Sequence, residues 1–245
     1  MNTQQLQAHY VGLDLSQAFT RLCHMVLPDQ VELAGMRILD LCCRSGKGCC
    51  KFAERAGAAR GGYVLGVDWD PGLVSLAQVN AFKAADKGRA AGVSMAPIKI
   101  LKAYPESMRA AGLMPASFDV AYVNNVFSLL AEPAAVLRTV EYTLDEGGVL
   151  NLDVALASAS VPAELRESAR GIANSIQASF TADELRGMLE ETGFPAEGIT
   201  ITQGEELDPA MGVTPDVRVA TVPAIDALVA AGELHINAAS VIARL

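Results

Sequence analysis

RILDLCCRSGKGCCKFAERAGAARGGYVLGVDWD, residues 37–70, decides the fold. It reads as strand, glycine-containing turn, helix and strand, with an acid closing each strand. RILDL is a short apolar run closed by Asp40, Gly46 and Gly48 sit in the turn, KFAERAGAA has helical composition, and GGYVLGVD is a β-branched run that stops at Asp68. In a parallel α/β sheet, ligands bind beyond the carboxyl ends of the strands, where helix N-termini point their N–H groups. Two acids there, one per strand, suit a ligand carrying an amino group and ribose hydroxyls. A dinucleotide would require G-x-G-x-x-G after the first strand to cradle its pyrophosphate. The window is CCRSGKG instead, with Arg44 where a glycine belongs. The ligand therefore reads as S-adenosylmethionine rather than a dinucleotide.

Working outward, 245 residues fit one α/β domain or one domain with additions, and 51% apolar residues supply a large core. The net charge of −9 and the scattered Lys and Arg exclude nucleic acid as the main partner, because neutralising phosphates takes clustered cations. No apolar run reaches the ~18 residues of a membrane-spanning helix. MNTQQLQAHYVGLDL lacks the basic and apolar regions of a secretory signal. Five cysteines, an odd number, fit a reducing cytoplasm better than a disulfide framework.

Residues 1–35 read as a helical cap before the sheet, and 36–245 as the main domain with an elaborated C-terminal region. Strands are expected at 37–41, 63–67, 98–101, 118–123 and 148–153, with helices at 47–58, 71–86 and 133–144 between them. Pro71 and Pro133 stand at first helical positions. After residue 156 comes an Ala- and Ser-rich connection. Thr181–Glu184 is a capping box that opens a helix over 182–191. ITITQ at 199–203 is a strand and 204–216 a loop, followed by VRVATV, a short helix near 223–231 and INAASVIARL as a last strand. The alternation argues for a mostly parallel, seven-stranded α/β sheet with helices on both faces.

The order of these parts resembles the class I methyltransferases that use S-adenosylmethionine, with a Rossmann-like methyltransferase fold, over about residues 5–203. Within that superfamily it is most similar to the arsenite methyltransferases. LQAHYVGLDL resembles their opening segment, and LDLCCRSGKGCC stands at their glycine motif. GGYVLGVDWDPGLVSLA resembles their second strand and following helix, and KAYPESM the segment that lines adenine. FDVAYVNNVFSLL, LDEGGVLNLDV and NSIQASFTADEL follow in the same order. The motif glycines are replaced by Cys42 and Arg44, and only Gly46 is kept. Arsenite enzymes hold trivalent arsenic on cysteines. Cys23 and one of Cys49 or Cys50 match such positions, while Asn125 and Ser175 occupy two others. A soft metalloid wants thiolates.

The resemblance implies roles for single residues. Asp40 would accept from the cofactor's ammonium, or else cap a turn. Asp68 would accept both ribose hydroxyls, since one carboxylate can serve two donors, while Asp70 caps the next helix. Trp69 would lie against the adenine edge, or be a surface aromatic. Arg44 pairs with the cofactor's carboxylate, blocks the pocket or points to solvent. Cys42 and Gly46 line the turn. Tyr104 and Glu106 follow the third strand, where adenine is contacted, and Glu106 would accept from its amino group. Asn124 ends the fourth strand and would orient ribose or substrate. Tyr10, Cys49, Cys50, Asn125 and Ser175 are the substrate candidates. CC-x5-CC does not match the C-x2-C spacing of structural zinc sites, so the cysteines read as core and no metal is expected. A helix N-terminus would lower the pKa of Cys49 or Cys50 enough for a soft substrate.

Methyl transfer from a sulfonium is an in-line displacement that needs alignment and dryness more than a fixed base. A thiolate, an amine and a trivalent metalloid all offer a ready lone pair, and no catalytic residue is singled out. The expected function is methyl transfer to a small molecule, with a thiol or metalloid in view. The alternative is a non-catalytic S-adenosylmethionine-binding protein or partner subunit with a degenerate glycine motif. A nicotinamide-linked oxidoreductase is disfavoured by the missing fingerprint. The apolar C-terminal strands could pair in a homodimer.

Overall fold

The computed structural model describes residues 1–13, 32–58, 61–212 and 217–245. In chain order the elements are α1 (Thr3–Gly12), β1 (Arg37–Leu41), α2 (Lys47–Ala56), β2 (Tyr63–Asp68), α3 (Pro71–Ala90), β3 (Ile98–Lys102), β4 (Phe118–Asn124), α4 (Pro133–Thr143), β5 (Leu144–Ala157), α5 (Ala163–Gly171), β6 (Phe180–Thr181), α6 (Ala182–Glu191), β7 (Ile199–Glu206), α7 (Pro223–Ala230) and β8 (Ile236–Arg244). The strand order is β3-β2-β1-β4-β5-β8-β7, with β6 paired to β5 beside that path. Pairs β1·β2, β1·β4, β2·β3 and β5·β6 are parallel, and β7·β8 is antiparallel. The α/β Rossmann-like sheet read from the sequence is the one observed, with the two-residue β6 as an addition. Among the described residues no helix is long and apolar enough to cross a membrane.

The chain forms two compact units. The first comprises Leu27–Val123, Ala135–Asn151 and Arg244–Leu245. Its strands β1, β2 and β4 are apolar and buried almost throughout, as befits strands covered on both faces. The edge strand β3 turns Lys99 and Lys102 outward, which protects an open edge from further pairing. Helix α2 buries Cys49, Phe52, Ala53 and Ala56 on one stripe, and Phe52 meets the Tyr122 ring of β4 edge-on, with centroids 5.0 Å apart. Asp70 caps α3 through Leu73 N–H at 2.7 Å, and Pro71 occupies its first turn.

The second unit comprises Met1–Val26, Asn124–Ala134 and Leu152–Ala243. Asn2 and Gln5 form a capping box that starts α1, and Thr181 with Glu184 does the same for α6. Leu185, Leu189, Phe194, Ile225 and Val241 fill its core.

Some elements differ from the sequence reading. Of the expected 1–35 cap, the described residues show α1 over 3–12, and residues 14–31 lie outside them. Helix α3 runs to Ala90, four residues further than expected. Strand β5 starts at Leu144, well before 148, with Gly147 in a left-handed conformation inside it. The expected connection after 156 contains a helix, α5. Its AELRESARG sequence is made mostly of good helix formers, a signal masked by the Ala- and Ser-rich residues ahead of it. VRVATV makes one bridge, Arg218 to Met211, instead of a strand. Side chains take its backbone groups. Asn174 Nδ2 donates to Ala220 O at 2.9 Å, and Val222 N–H donates to Gln177 Oε1 at 2.6 Å.

Candidate functional site

Most of the predicted cofactor residues cluster in the first unit, at the carboxyl ends of β1 and β2. The turn after β1 is tied from several sides. Cys43 N–H donates to Val67 O at 3.0 Å, Gly46 N–H to Cys43 O at 2.8 Å, and Asn80 Nδ2 to Ser45 O at 2.8 Å. Its backbone is left-handed at alternate residues, with φ of 57° at Cys42, 54° at Arg44 and 70° at Gly46. The turn therefore has the conformation that favours glycine at all three positions, although two of them carry side chains. Gly46 could not be replaced so easily. A Cβ there would stand 2.9 Å from the Cβ of Ala77.

A left-handed residue other than glycine costs roughly 1–2 kcal/mol. Arg44→Gly is thus expected to stabilise the protein by about 1 kcal/mol, which raises the melting temperature by about 2–4 °C in a chain of this size. A thermal melt checks this, and a lower melting temperature would show that the Arg44 side chain stabilises more than its backbone costs.

Asp68 closes β2 and is 1% exposed. Its Oδ2 accepts Arg44 N–H at 2.9 Å and its Oδ1 accepts Asp70 N–H at 3.0 Å. Burial raises its pKa, and these two bonds oppose the rise. One donor per oxygen leaves each with lone-pair capacity for a further partner. Arg44 is half-buried, not turned to solvent. Burial lowers its pKa, and the charges of Asp68 and Asp70 push it back up. Trp69 is buried, not a surface aromatic. Glu106, in the turn after β3, adds to the charge felt by Cys42, which brings that turn electrostatically close to the motif. Tyr104 sits just ahead of the same turn.

Asp40 is buried in the middle of this group and accepts a hydrogen bond from Cys49 Sγ at 3.0 Å. Burial lifts its carboxyl to about 7, the Cys49 bond opposes the rise, and the charge of Asp68 adds to it. Cys42, Cys49 and Cys50 are all pushed toward the thiol form. A hydrogen bond with Cys43, then burial and the Asp40 charge, push Cys49 up. Burial and the same charge raise Cys50, and burial raises Cys42 well above its ordinary value. The lowered pKa expected at the start of α2 does not occur, because the Cys43 hydrogen bond and burial at Cys49, and burial at Cys50, joined by the Asp40 charge, outweigh the helix N-terminus. Cys23 lies outside the described residues.

The remaining candidates lie in the second unit. Asn124 ends β4, and Asn125 follows it at φ 60°, its N–H donating to Asp153 O at 2.8 Å. Ser175 Oγ donates to Asn125 Oδ1 at 2.7 Å, and Ser128 Oγ to Ser175 O at 2.9 Å. Tyr10 is buried on α1, in edge contact with His9, whose Nε2 is 2.9 Å from Leu129 O. Ser128 and Asp153, which the sequence reading did not single out, join the hydrogen bonds around Asn125 and Ser175. Asp153 carries the same signal as Asp40 and Asp68, an acid near the end of an apolar strand.

A family model described as a methyltransferase domain matches residues 7–197. The chain belongs to that methyltransferase family. Human arsenite methyltransferase is 26% identical over 196 residues, covering 78% of this chain and 50% of the relative. Arsenite methyltransferase of Halobacterium salinarum is 26% identical over 162 residues, 66% of this chain and 38% of the relative. The chain thus spans half or less of the length of these curated relatives. The crystal structure of CrArsM, an arsenic (III) S-adenosylmethionine methyltransferase from Chlamydomonas reinhardtii, superposes with a TM-score of 0.70. It has 22% identity and covers 93% of this chain and 68% of that one. The arsenite-branch resemblance read from the motifs is borne out.

Proposed function

We propose that this methyltransferase-family chain binds S-adenosylmethionine at the tips of β1 and β2 and transfers its methyl group to a small-molecule acceptor. The observation that carries this is Asp68, a buried strand-end carboxylate pinned by two backbone N–H groups with acceptor capacity left on both oxygens. When bound, the cofactor supplies an activated methyl on a positive sulfur. Asp68 receives the ribose hydroxyls, and Asp40 faces the ammonium across the Gly46 turn. The buried Trp69 excludes water from the adenine side, with Tyr104 and Glu106 at its edge.

The left-handed backbone at Cys42 and Arg44, the conformation that favours glycine, supports cofactor binding despite the replaced glycines, and turnover separates the catalytic reading from a degenerate binding protein. Isothermal titration calorimetry with S-adenosylhomocysteine, followed by a turnover assay with labelled S-adenosylmethionine, tests it. Absence of binding would sink the reading.

Asp40 makes the binding pH-dependent. Only the ionised carboxylate attracts an ammonium, and the folded-state pKa is about 7. S-adenosylhomocysteine should therefore bind about tenfold more weakly at each pH unit below that value and reach a plateau above it. The stability trend has the opposite sense. The folded pKa stands above the ordinary 3.8, so the folded state holds the extra proton and stability falls as pH climbs between those values. Asp40→Asn should flatten both profiles, which calorimetry and thermal melts across pH 5–8 will show.

A further inference from the structure

We propose that Cys49 is a positioning residue for the cofactor, its thiol donating to the buried carboxyl of Asp40 and holding that carboxylate for the ammonium. The proposal rests on the cofactor reading above and adds a residue to that same site. Cys49, Asp40 and the groups around them all belong to the unit built on β1 and β2. The bond is the 3.0 Å contact from Cys49 Sγ to Asp40 Oδ2.

Packing fixes where the sulfur can be. Asp40 stands between Gly66 of β2 and Tyr122 of β4, its register partners on either side. Helix α2 lies over this row. Phe52 meets the Tyr122 ring, and Cys49, one turn ahead of Phe52 on the same buried stripe, meets Asp40. The bare backbone at Gly66 supplies the space. A Cβ there would come 2.6 Å from Cys49 Sγ, with Ile100 Cδ1 at 2.8 Å and Cys43 Sγ at 2.9 Å from the same point. The sulfur is thus walled in by named neighbours. Cys49 is 0% exposed, so its thiol bonds to protein groups and not to bulk water.

A buried carboxylate needs donors to stay charged. Burial is the largest influence on Asp40 and favours its protonated form. The Cys49 thiol bond comes next and favours the charged form, the charge of Asp68 on β2 favours the proton again, and the Cys49 backbone N–H acts in the same sense as its thiol. The other titratable groups beside Asp40 are Tyr122 on β4, Cys42 and Cys43 in the turn after β1, and Cys50 on α2. A neutral donor has an advantage over a cation at this place. It stabilises the carboxylate and leaves its charge to the ammonium, whereas a Lys or Arg would pair with Asp40 and compete for it. This role occupies the thiol that the sequence reading offered to a soft substrate.

The test is the pH profile of S-adenosylhomocysteine affinity, measured by calorimetry on wild type, Cys49→Ala and Cys49→Ser. Wild type should show a midpoint of about 7. Cys49→Ala should move that midpoint up by about one pH unit, so that binding is about fivefold weaker at neutral pH and nearly equal to wild type about two units higher. Serine keeps a donor at the same place and should return the midpoint most of the way. A purely structural role for the side chain predicts the same weakening at every pH. An unmoved midpoint in Cys49→Ala, or a serine variant that behaves as the alanine one does, would overturn the proposal. The wild-type protein offers a second readout that needs no variant to fold. Its infrared S–H stretching band should shift to lower wavenumber as Asp40 ionises, with the midpoint of the binding profile, and a band that stays fixed would also overturn it. Loss of S-adenosylhomocysteine binding by wild type at every pH would instead overturn the cofactor reading.

Discussion

Asp68→Ala should weaken S-adenosylhomocysteine binding at least ~100-fold, a loss of about 3 kcal/mol. A hydrogen bond to a charged group is worth roughly 1.5–3 kcal/mol, and the proposed ribose contact would lose two of them. The same substitution removes the acceptor of Arg44 N–H and Asp70 N–H, which are held at 2.9 and 3.0 Å. The turn after β1 should loosen, and the melting temperature should fall as well. Asp68→Asn separates the two effects. It is the same size and keeps one acceptor oxygen for the backbone, but it has no charge and one acceptor fewer. It should melt closer to wild type and still bind the nucleoside at least about tenfold more weakly. Calorimetry and thermal melts on both variants decide the matter. Unchanged affinity in Asp68→Ala would remove the basis of the cofactor assignment.

Gly66→Ala should destabilise the protein by about 2–3 kcal/mol without any direct contact with ligand. Gly66 is in the interior of β2, where glycine is entropically unfavourable and needs a reason. The reason is the space above it. A Cβ would come 2.6 Å from Cys49 Sγ, 2.8 Å from Ile100 Cδ1 and 2.9 Å from Cys43 Sγ. Gly66 is also the register partner of Asp40 on β1, so the sulfurs, the buried carboxyl and the bare backbone form one packed cluster. In a chain of this size the melting temperature should drop by roughly 4–12 °C. Adding Cys49→Ala should recover part of the loss, since the clash disappears with the sulfur, and a non-additive double variant is the expected signature. Full additivity would mean that the cluster yields without strain.

The same cluster shows how much could be read from the residues. RILDL and YVLGVD were legible as buried parallel strands, because a continuous apolar run with a β-branched bias has few other uses. Asp70-Pro71 and Thr181–Glu184 were legible as helix starts, because caps are local chemistry. The helix α5 was not, since its composition follows an Ala- and Ser-rich approach that reads as a connection. VRVATV has the pattern of a strand and is not one, because Asn174 and Gln177, more than forty positions earlier in the chain, capture its backbone groups. At the candidate site the strand-end acids Asp40 and Asp68 were visible in advance. The meaning of Cys42 and Arg44 was not, because composition cannot report a dihedral angle.

The sequence by itself determined the parallel α/β sheet, the order of its parts and the acids at two strand ends, because periodicity, caps and turns act over a few neighbouring residues. Only the tertiary structure decided that the turn after β1 is left-handed at Cys42 and Arg44, that Cys49 is bonded to a buried Asp40 and pushed toward the thiol form, and that Ser175 donates to Asn125. Each of these depends on groups far apart in the chain being brought together, where burial and hydrogen bonding, not local propensity, set the outcome.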